Sequence, residues 1–197
     1  KSDSFPGYVL TTSKKLAPPG TRLNYSSGDT NLLMYCLGRA LGSRKDAFPW
    51  DDFFIPAGIT SVVMERDREN NVIGSSYMHA TAKDFARLGE LFLNGGKVKG
   101  QDGKPIQLLP PEWVKLAASP APALPELGKP HTTQDLYGHG WWLNRAIPEK
   151  KIKPEFPNLP EDTLIASGHY GQQLLGIPSW DTVVVRLGTD EYGMKFD

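Results

Sequence analysis

The chain has 197 residues, of which 22 are basic and 22 acidic, so its formal net charge at pH 7 is zero. Hydrophobic residues make up 39% and charged residues 22%, as expected of a globular protein that buries a core. The balanced charge argues against nucleic acid or an anionic membrane as partner, and no run reaches the ~20 apolar residues that span a bilayer. The one cysteine, Cys36, excludes an internal disulfide, and its leucine-rich surroundings predict a small buried hydrophobe.

The first predicted helix follows Tyr25. Residues 1–24 show little periodicity and carry a Pro-Pro-Gly turn signal at 18–20, which leads the chain to this tyrosine. From Asp29 onward, apolar residues recur at helical spacing, and Gly42 is suited to end the helix. We therefore expect Tyr25 in a loop directly before a buried helix, at the edge of a cleft.

The clearest helix lies in the middle of the chain. Thr81 is suited to cap its first turn, and the Asn-Gly-Gly sequence at 94–96 is suited to end it. Its apolar face consists of Ala82, Phe85, Ala86, Leu88, Gly89, Phe92 and Leu93. A shorter helix is expected from Pro110 through Ala117, because proline is tolerated in a first turn. The proline-rich residues 119–136 are expected to form a surface loop.

Strands are predicted at the C-terminal end. Residues 140–143 carry a strand signal within an aromatic cluster that includes Trp141 and Trp142, most of which we expect in the core. Two further strands, at 172–177 and 182–187, are expected to form an antiparallel pair.

Helices in the middle and strands at the end predict an α+β fold rather than alternating βαβ units. We divide the chain into two regions on this basis. Residues 1–136 form a mostly helical region with the Tyr25 loop, and residues 137–197 supply the C-terminal strands of an antiparallel sheet.

Tyr25 is a candidate for proton transfer. A tyrosine hydroxyl ionises more easily beside a lysine ammonium and can then relay a proton between a nucleophile and a leaving group. No residue of this chain obviously supplies that lysine. The alternative is an ordinary half-buried tyrosine ahead of a helix.

His169 is the candidate for substrate binding. Glycines bracket it and a predicted strand follows, so its ring can hydrogen-bond a substrate carbonyl or carboxylate. Gly171 would let substrate lie against the backbone, and the N–H of Gln172 could donate to a developing oxyanion. The alternative is a solvated histidine in a turn.

A nucleophile is missing from these residues. A lysine that activates a serine is spaced Ser-x-x-Lys so that both lie on one side of a helix, and no serine here has lysine at that position. Threonine matches at Thr11 and Thr12 lie in a segment without a buried helical face, and no Gly-x-Ser-x-Gly elbow occurs. His79, His131 and His139 match no zinc spacing, so we expect no metal and no cofactor.

Several short motifs occur together in one order. They lie at 18–33, 80–89, 94–96, 109–114, 137–142, 168–172 and 183–188. Together they resemble the serine β-lactamase-related family, which includes class C β-lactamases, D-Ala-D-Ala carboxypeptidases, esterases and 6-aminohexanoate-oligomer hydrolases. The resemblance implies a β-lactamase/transpeptidase-like fold, with a helical region packed against an antiparallel sheet and a cleft between them. It also implies hydrolysis of a small-molecule ester or amide through an acyl-serine intermediate.

The resemblance also implies roles for individual residues. Tyr25 matches the catalytic tyrosine, and the His169-Tyr170-Gly171 sequence matches the Lys-Thr-Gly strand of β-lactamases. Gln172 matches the residue whose N–H completes the oxyanion hole. Ser27 stands where β-lactamases keep an asparagine that contacts the substrate amide. These two departures, at Ser27 and His169, favour an esterase or amide hydrolase over efficient β-lactam hydrolysis.

The missing Ser-x-x-Lys predicts that the chain is the C-terminal portion of such a hydrolase, with the nucleophile upstream of Lys1. The family favours a periplasmic or secreted compartment. A non-catalytic penicillin-binding-like module that binds a peptide or cell-wall fragment is the alternative, and a fragment without function of its own is a third. Absent strands would leave an open sheet edge, so we expect the chain to pair with the missing N-terminal segment or with another copy.

Overall fold

A computed structural model describes residues 4–15, 17–18, 23–100, 102–120 and 136–190 of the protein. Within these ranges it contains four α-helices: α1 (Phe5–Thr12), α2 (Ser27–Leu41), α3 (Ala82–Leu93) and α4 (Pro111–Ala117). It also contains eight strands: β1 (Val63–Met64), β2 (Met78–His79), β3 (Lys97–Lys99), β4 (Pro105–Gln107), β5 (Trp142–Leu143), β6 (Leu164–Ser167), β7 (Gln173–Ile177) and β8 (Thr182–Arg186). Most of residues 119–136, the predicted surface loop, lies outside the described ranges.

All strand pairs are antiparallel. Strands β1 and β2 form one small sheet, β3 and β4 another, and the main sheet has the order β5-β6-β7-β8. In the main sheet Trp142 is opposite Ile165, and Gln173 is opposite both Ser167 and Arg186. Helices combined with antiparallel sheets confirm the predicted α+β class.

Helix α2 ends at Leu41, before Gly42 as predicted, but it begins at Ser27, two residues before the predicted start, and it lacks the predicted burial. The Ser26 hydroxyl caps it by accepting the Asp29 N–H at 3.3 Å, and Gly42 follows its last residue with φ of 59°. Cys36 is exposed, however, and Leu33 is 67% exposed, so the expected burial of this face was wrong. Periodicity locates an apolar face but does not say what covers it, and in the described residues α2 packs mainly against α1 and the turn that follows α2.

Helix α3 joins the helices to the main sheet and has the predicted bounds. Thr81 caps its first turn, and Asn94 ends it. Gly89 allows close packing on the sheet, because a Cβ there would lie 2.7 Å from the Val183 side chain. The core beneath α3 contains Ala117, Trp141, Leu143, Leu164 and Leu174, with Phe85, Leu88, Phe92, Val183 and Val185 packed around them.

A buried carboxylate ties α3 to the preceding loop. Asp84, in the first turn, is 3% exposed and accepts hydrogen bonds from the Thr60 N–H at 3.0 Å and the Ser61 N–H at 2.8 Å. It also accepts the Ser61 hydroxyl at 2.7 Å and pairs with Arg87 at 2.5 Å. Hydrogen bonding from the Ser61 hydroxyl, followed by the backbone N–H of Ser61 and by Arg87, lowers the pKa of Asp84 from 3.8 to about 2 despite burial.

Among the described residues, six elements have no counterpart in the predicted series: α1, β1, β2, β3, β4 and β6. Helix α1 begins at Phe5 after Ser4, whose hydroxyl accepts the Gly7 N–H at 3.1 Å, in a segment with little periodicity. Strand β6 is short, and its first two residues, Leu164 and Ile165, are both buried. A strand buried on both faces has no alternation of polar and apolar residues to reveal it.

Candidate functional site

Tyr25 lies directly before α2, as predicted, and its ring rests on two other aromatic rings. The ring centroids of Tyr137 and Trp142 both lie 5.0 Å from that of Tyr25, and they lie 4.8 Å from each other. These contacts are edge-on or tilted, as aromatic rings prefer. Tyr25 is nevertheless 52% exposed, so the cluster holds the ring while much of its surface faces solvent.

Tyr137, the second tyrosine of this cluster, has a shifted pKa. Burial, and secondarily the nearby Tyr25, raise the pKa of Tyr137 above its ordinary value. The raised pKa makes the Tyr137 hydroxyl harder to ionise than that of an ordinary tyrosine. Tyr137 is also less exposed than Tyr25.

The two adjacent tryptophans face opposite sides of the sheet, as successive strand residues do. Trp141 is 4% exposed and its ring lies 5.0 Å from that of Phe92 in the core beneath α3. Trp142 points to the other side, toward Tyr25. One member of the aromatic cluster is thus core and the next supports the candidate site.

The sequence His169–Gly171 forms a tight turn between β6 and β7 rather than part of a strand. Tyr170 has φ of 58° and Gly171 has φ of 79°, and these two left-handed residues reverse the chain. The Gly168 N–H closes the turn by donating to the Gln172 carbonyl at 2.8 Å. The imidazole of His169 and the ring of Tyr170 are both exposed, with centroids 3.9 Å apart.

The residues after β8 run alongside this turn and hold it. Arg186 donates to the Gly171 carbonyl at 2.6 Å, and the Asp190 N–H donates to the Tyr170 carbonyl at 3.0 Å. The Gln172 carboxamide accepts the Gly188 N–H at 3.0 Å and donates to the Gly188 carbonyl. We define the His169–Gln172 segment as the turn and the Arg186–Asp190 segment as the brace.

Strand register relates Tyr25 to the turn through Trp142. Trp142, on which Tyr25 packs, lies opposite Ile165, four residues before His169, and because β5 and β6 are antiparallel the start of β5 points toward the end of β6 at which the turn begins. Ser27, the other candidate, is the exposed first residue of α2, two positions after Tyr25. Tyr25 makes its ring contacts with the aromatic cluster, and the turn makes its hydrogen bonds with the brace.

Sequence reasoning missed Arg186 and Asp190. Arg186 is the only charged residue of β8 and follows three valines, a pattern that reads as the end of a strand. The available sequence signal was a cation, Arg186, at the end of an apolar strand. In the structure this residue lies opposite Gln173, which follows the glycine-rich motif.

The two other histidines that the structure describes, His79 and His139, make their recorded contacts with residues outside this site. His79 is exposed on β2, 3.5 Å from Glu65, and His139 lies within 3.1 Å of the Leu116 carbonyl. His131 lies outside the described residues. Among the residues that the structure describes, no three histidine, cysteine, aspartate or glutamate side chains are grouped to hold a metal ion. No helix in those same ranges is long and apolar enough to cross a membrane.

No protein-family model matches the chain, and no curated protein does. Solved structures do match. A candidate 6-aminohexanoate-dimer hydrolase from Bacillus anthracis is 22% identical with a TM-score of 0.59, and the match covers 87% of this chain and 39% of that one. A candidate β-lactamase from Bacteroides dorei is 15% identical with a TM-score of 0.64, covering 97% and 59%. A β-lactamase from Mycobacterium bovis is 17% identical with a TM-score of 0.66, covering 91% and 61%.

These matches establish the fold. The chain has the architecture of β-lactamase-like hydrolases and spans between 39% and 61% of the length of the three structures. The neighbours are proteins of the kind that the sequence motifs resemble, which confirms the prediction of a β-lactamase-like fold, incomplete in this chain.

Proposed function

We propose that this chain is part of a serine hydrolase that cleaves ester or amide bonds of small molecules through an acyl-serine intermediate. The observation that carries this proposal is the packing of Tyr25 on Trp142 at the start of β5, which points toward the end of β6 from which the turn leaves. The fold shared with a β-lactamase and a candidate 6-aminohexanoate-dimer hydrolase supports it.

In the proposed reaction, a segment that carries Ser-x-x-Lys supplies the serine and the lysine, and this chain supplies Tyr25 and the turn. The serine oxygen bonds to the acyl carbon, and the bond from that carbon to the leaving group breaks as the lysine and Tyr25 move the serine proton to the leaving group. Water then cleaves the acyl-serine bond, which releases the acid and restores the serine. Because the 197 residues contain no Ser-x-x-Lys, we place the nucleophile outside them.

The turn supplies the remaining roles. The N–H of Gln172 donates to the oxyanion of the tetrahedral intermediate, and His169 and Tyr170 contact the acyl group through their exposed rings. Gly171 has no side chain to keep substrate from the backbone. Ser27 contacts the amide or ester group from the start of α2.

Ester and amide substrates fit these residues better than β-lactams. The imidazole of His169 offers ring nitrogens for a hydrogen bond, whereas a lysine ammonium there would pair its permanent charge with a substrate carboxylate. Ser27 offers a hydroxyl where a carboxamide would both donate and accept. The site thus favours recognition of a carbonyl over recognition of a charged carboxylate.

We also propose that the main sheet continues into the missing segment. Strand β8 is the outer strand of the sheet among the described residues, and Val184 is 43% exposed on it. An open strand edge favours pairing with another strand. We expect the isolated 197-residue chain to melt without a cooperative high-temperature transition, unless it associates with itself. Calorimetry with sedimentation analysis tests this, and a cooperative melt of a monomer above about 60 °C would contradict it.

The nucleophile is tested by covalent labelling. Incubation of the 197-residue chain with a fluorophosphonate probe should add no mass, whereas the longer natural protein should gain one adduct per molecule. Peptide mapping should place that adduct on the serine of Ser-x-x-Lys. An adduct on the chain itself would overturn the upstream position, and a longer protein that resists labelling would favour the non-catalytic module that binds a peptide or cell-wall fragment.

A further inference from the structure

The turn has a backbone that its own sequence does not favour. Tyr170 and Gly171 occupy the left-handed region in succession, with φ of 58° and 79°. Glycine adopts this region freely, but for tyrosine the Cβ approaches the carbonyl oxygen too closely. A closing hydrogen bond from the Gly168 N–H to the Gln172 carbonyl joins the ends of the turn, and the Gln172 carboxamide donates to the Tyr170 carbonyl at 3.5 Å.

Arg186 supplies support at the middle of the turn. It lies opposite Gln173 in the ladder between β7 and β8, so its backbone position is fixed by the sheet. Its side chain donates to the Gly171 carbonyl at 2.6 Å, and the same guanidinium pairs with the Asp190 carboxylate. Side-chain exposures of 25% for Arg186 and 20% for Asp190 show that most of this ion pair is shielded from solvent.

Asp190 supports the turn in two further ways. Its N–H donates to the carbonyl of Tyr170, the strained residue, at 3.0 Å. Its carboxylate also occupies the space beside Gly171 where a Cβ would point. The brace therefore fixes the carbonyls of both left-handed residues, while the Gln172 carboxamide fixes the end of the turn on Gly188.

We propose that Arg186 and Asp190 are positioning residues that set the left-handed turn and thereby aim His169 and the Gln172 N–H at substrate. This rests on the proposed function of the turn. Neither residue needs to touch substrate. The guanidinium acts through the Gly171 carbonyl, and the peptide between Gly171 and Gln172 carries both this carbonyl and the N–H assigned to the oxyanion.

Amide hydrogen exchange tests the brace directly. In the natural protein, Arg186→Met should raise the exchange rates of the Gly168 and Asp190 amides, which donate to the Gln172 and Tyr170 carbonyls, about tenfold or more, as expected for loss of a hydrogen bond to a charged group. Amides in α3 should keep their rates. Arg145→Met is the matched control, because Arg145 is also partly buried and donates to a backbone carbonyl, that of Ala118 at 3.2 Å.

If Arg186→Met does not fold, two milder variants still test the effect of the brace on amide exchange. Lysine in Arg186→Lys reaches either the Gly171 carbonyl or Asp190 but not both in the same geometry, so exchange should be intermediate. Asp190→Asn keeps the N–H to Tyr170 and removes the charge that holds Arg186, so exchange should again be intermediate. Unchanged exchange at the turn in all three folded variants would overturn the proposal.

A kinetic measurement separates positioning from general destabilisation. Turnover of a p-nitrophenyl ester is normalised to active sites titrated with the fluorophosphonate, so that unfolded molecules are not counted. Turnover per site should fall about tenfold in Arg186→Met, be partly restored in Arg186→Lys and be unchanged in Arg145→Met. Faster exchange with full turnover per site would overturn the role in aiming the turn. If the natural protein cannot be labelled at all, the proposed hydrolase fails, and exchange alone still decides whether the pair sets the turn.

Discussion

Tyr25→Phe should lower kcat for an activated ester by about 10²- to 10⁴-fold in the natural protein, with little change in KM. Phenylalanine keeps the ring that contacts Tyr137 and Trp142, each with a centroid 5.0 Å away, so the cluster should stay packed. The substitution removes the hydroxyl that we propose passes the proton between nucleophile and leaving group. Steady-state and burst kinetics with a p-nitrophenyl ester measure the effect.

Tyr137→Phe is the matched control for this prediction. It removes a hydroxyl from the same aromatic cluster, but burial raises the pKa of Tyr137, which makes this hydroxyl harder to ionise than that of an ordinary tyrosine. We expect kcat to change by less than about tenfold, which corresponds to 1.4 kcal/mol in the barrier. Equal losses in both variants would show that the cluster matters through packing and that Tyr25 has no special role in proton transfer.

The parts of the fold that the sequence predicted are those with strong local signals. Helix α3 has a cap at Thr81, a periodic apolar face and a glycine-rich end, and its bounds agree with the prediction. The hairpin of β7 and β8 is marked by apolar runs on both sides of a Pro-Ser-Trp-Asp turn and was also correctly predicted. In these segments local preference and tertiary packing agree.

The parts that could not be predicted depend on contacts between distant segments. Helix α2 has an apolar periodicity, yet its buried residue is the polar Asn31, whose carboxamide accepts the N–H groups of Gly74 at 3.0 Å and Ser75 at 3.2 Å. Cys36, in an apolar run, is exposed. Which face of a helix is covered is decided by the rest of the chain, and a single helical segment does not contain that information.

The candidate site likewise has a part that local sequence predicts and a part that depends on contacts between distant segments. Tyr25 and His169 could be selected from their neighbours in sequence, because a turn before a helix and a glycine-bracketed histidine are local patterns. The brace could not be predicted, because Arg186 donates a hydrogen bond to the Gly171 carbonyl, 15 positions earlier in the chain. The left-handed backbone of Tyr170 was equally hidden, since no residue type demands it there.

Asp84→Asn should destabilise the protein by about 2–4 kcal/mol, because a buried charged group and its partners lose their pairing. The carboxylate accepts the N–H groups of Thr60 and Ser61 and pairs with Arg87. A carboxamide has nearly the same shape but only one accepting oxygen, and its NH₂ group would face these donors. Urea unfolding of the natural protein and of Asp84→Asn at pH 7 measures the difference in their free energies of unfolding.

Asp102→Asn provides the control, because Asp102 also accepts a backbone N–H, that of Lys104 at 3.0 Å, but its side chain is 61% exposed. Its replacement should change the free energy of unfolding by no more than about 0.5 kcal/mol. Comparable losses in both variants would show that burial of the Asp84 carboxylate is not the source of its effect.

The pH dependence of this stability gives an independent measure of the Asp84 network. The folded-state pKa, about 2, lies below the ordinary 3.8, so the carboxylate stabilises the folded protein fully above pH 3.8. This contribution falls as pH decreases from 3.8 toward 2, where the folded protein also takes up the proton. Because one pKa unit corresponds to 1.36 kcal/mol, the advantage of the natural protein over Asp84→Asn should shrink by roughly 2 kcal/mol between pH 6 and pH 2. A difference that is constant across this range would mean that the carboxylate stabilises the folded protein no better than its protonated form does, and the network would then act through shape alone.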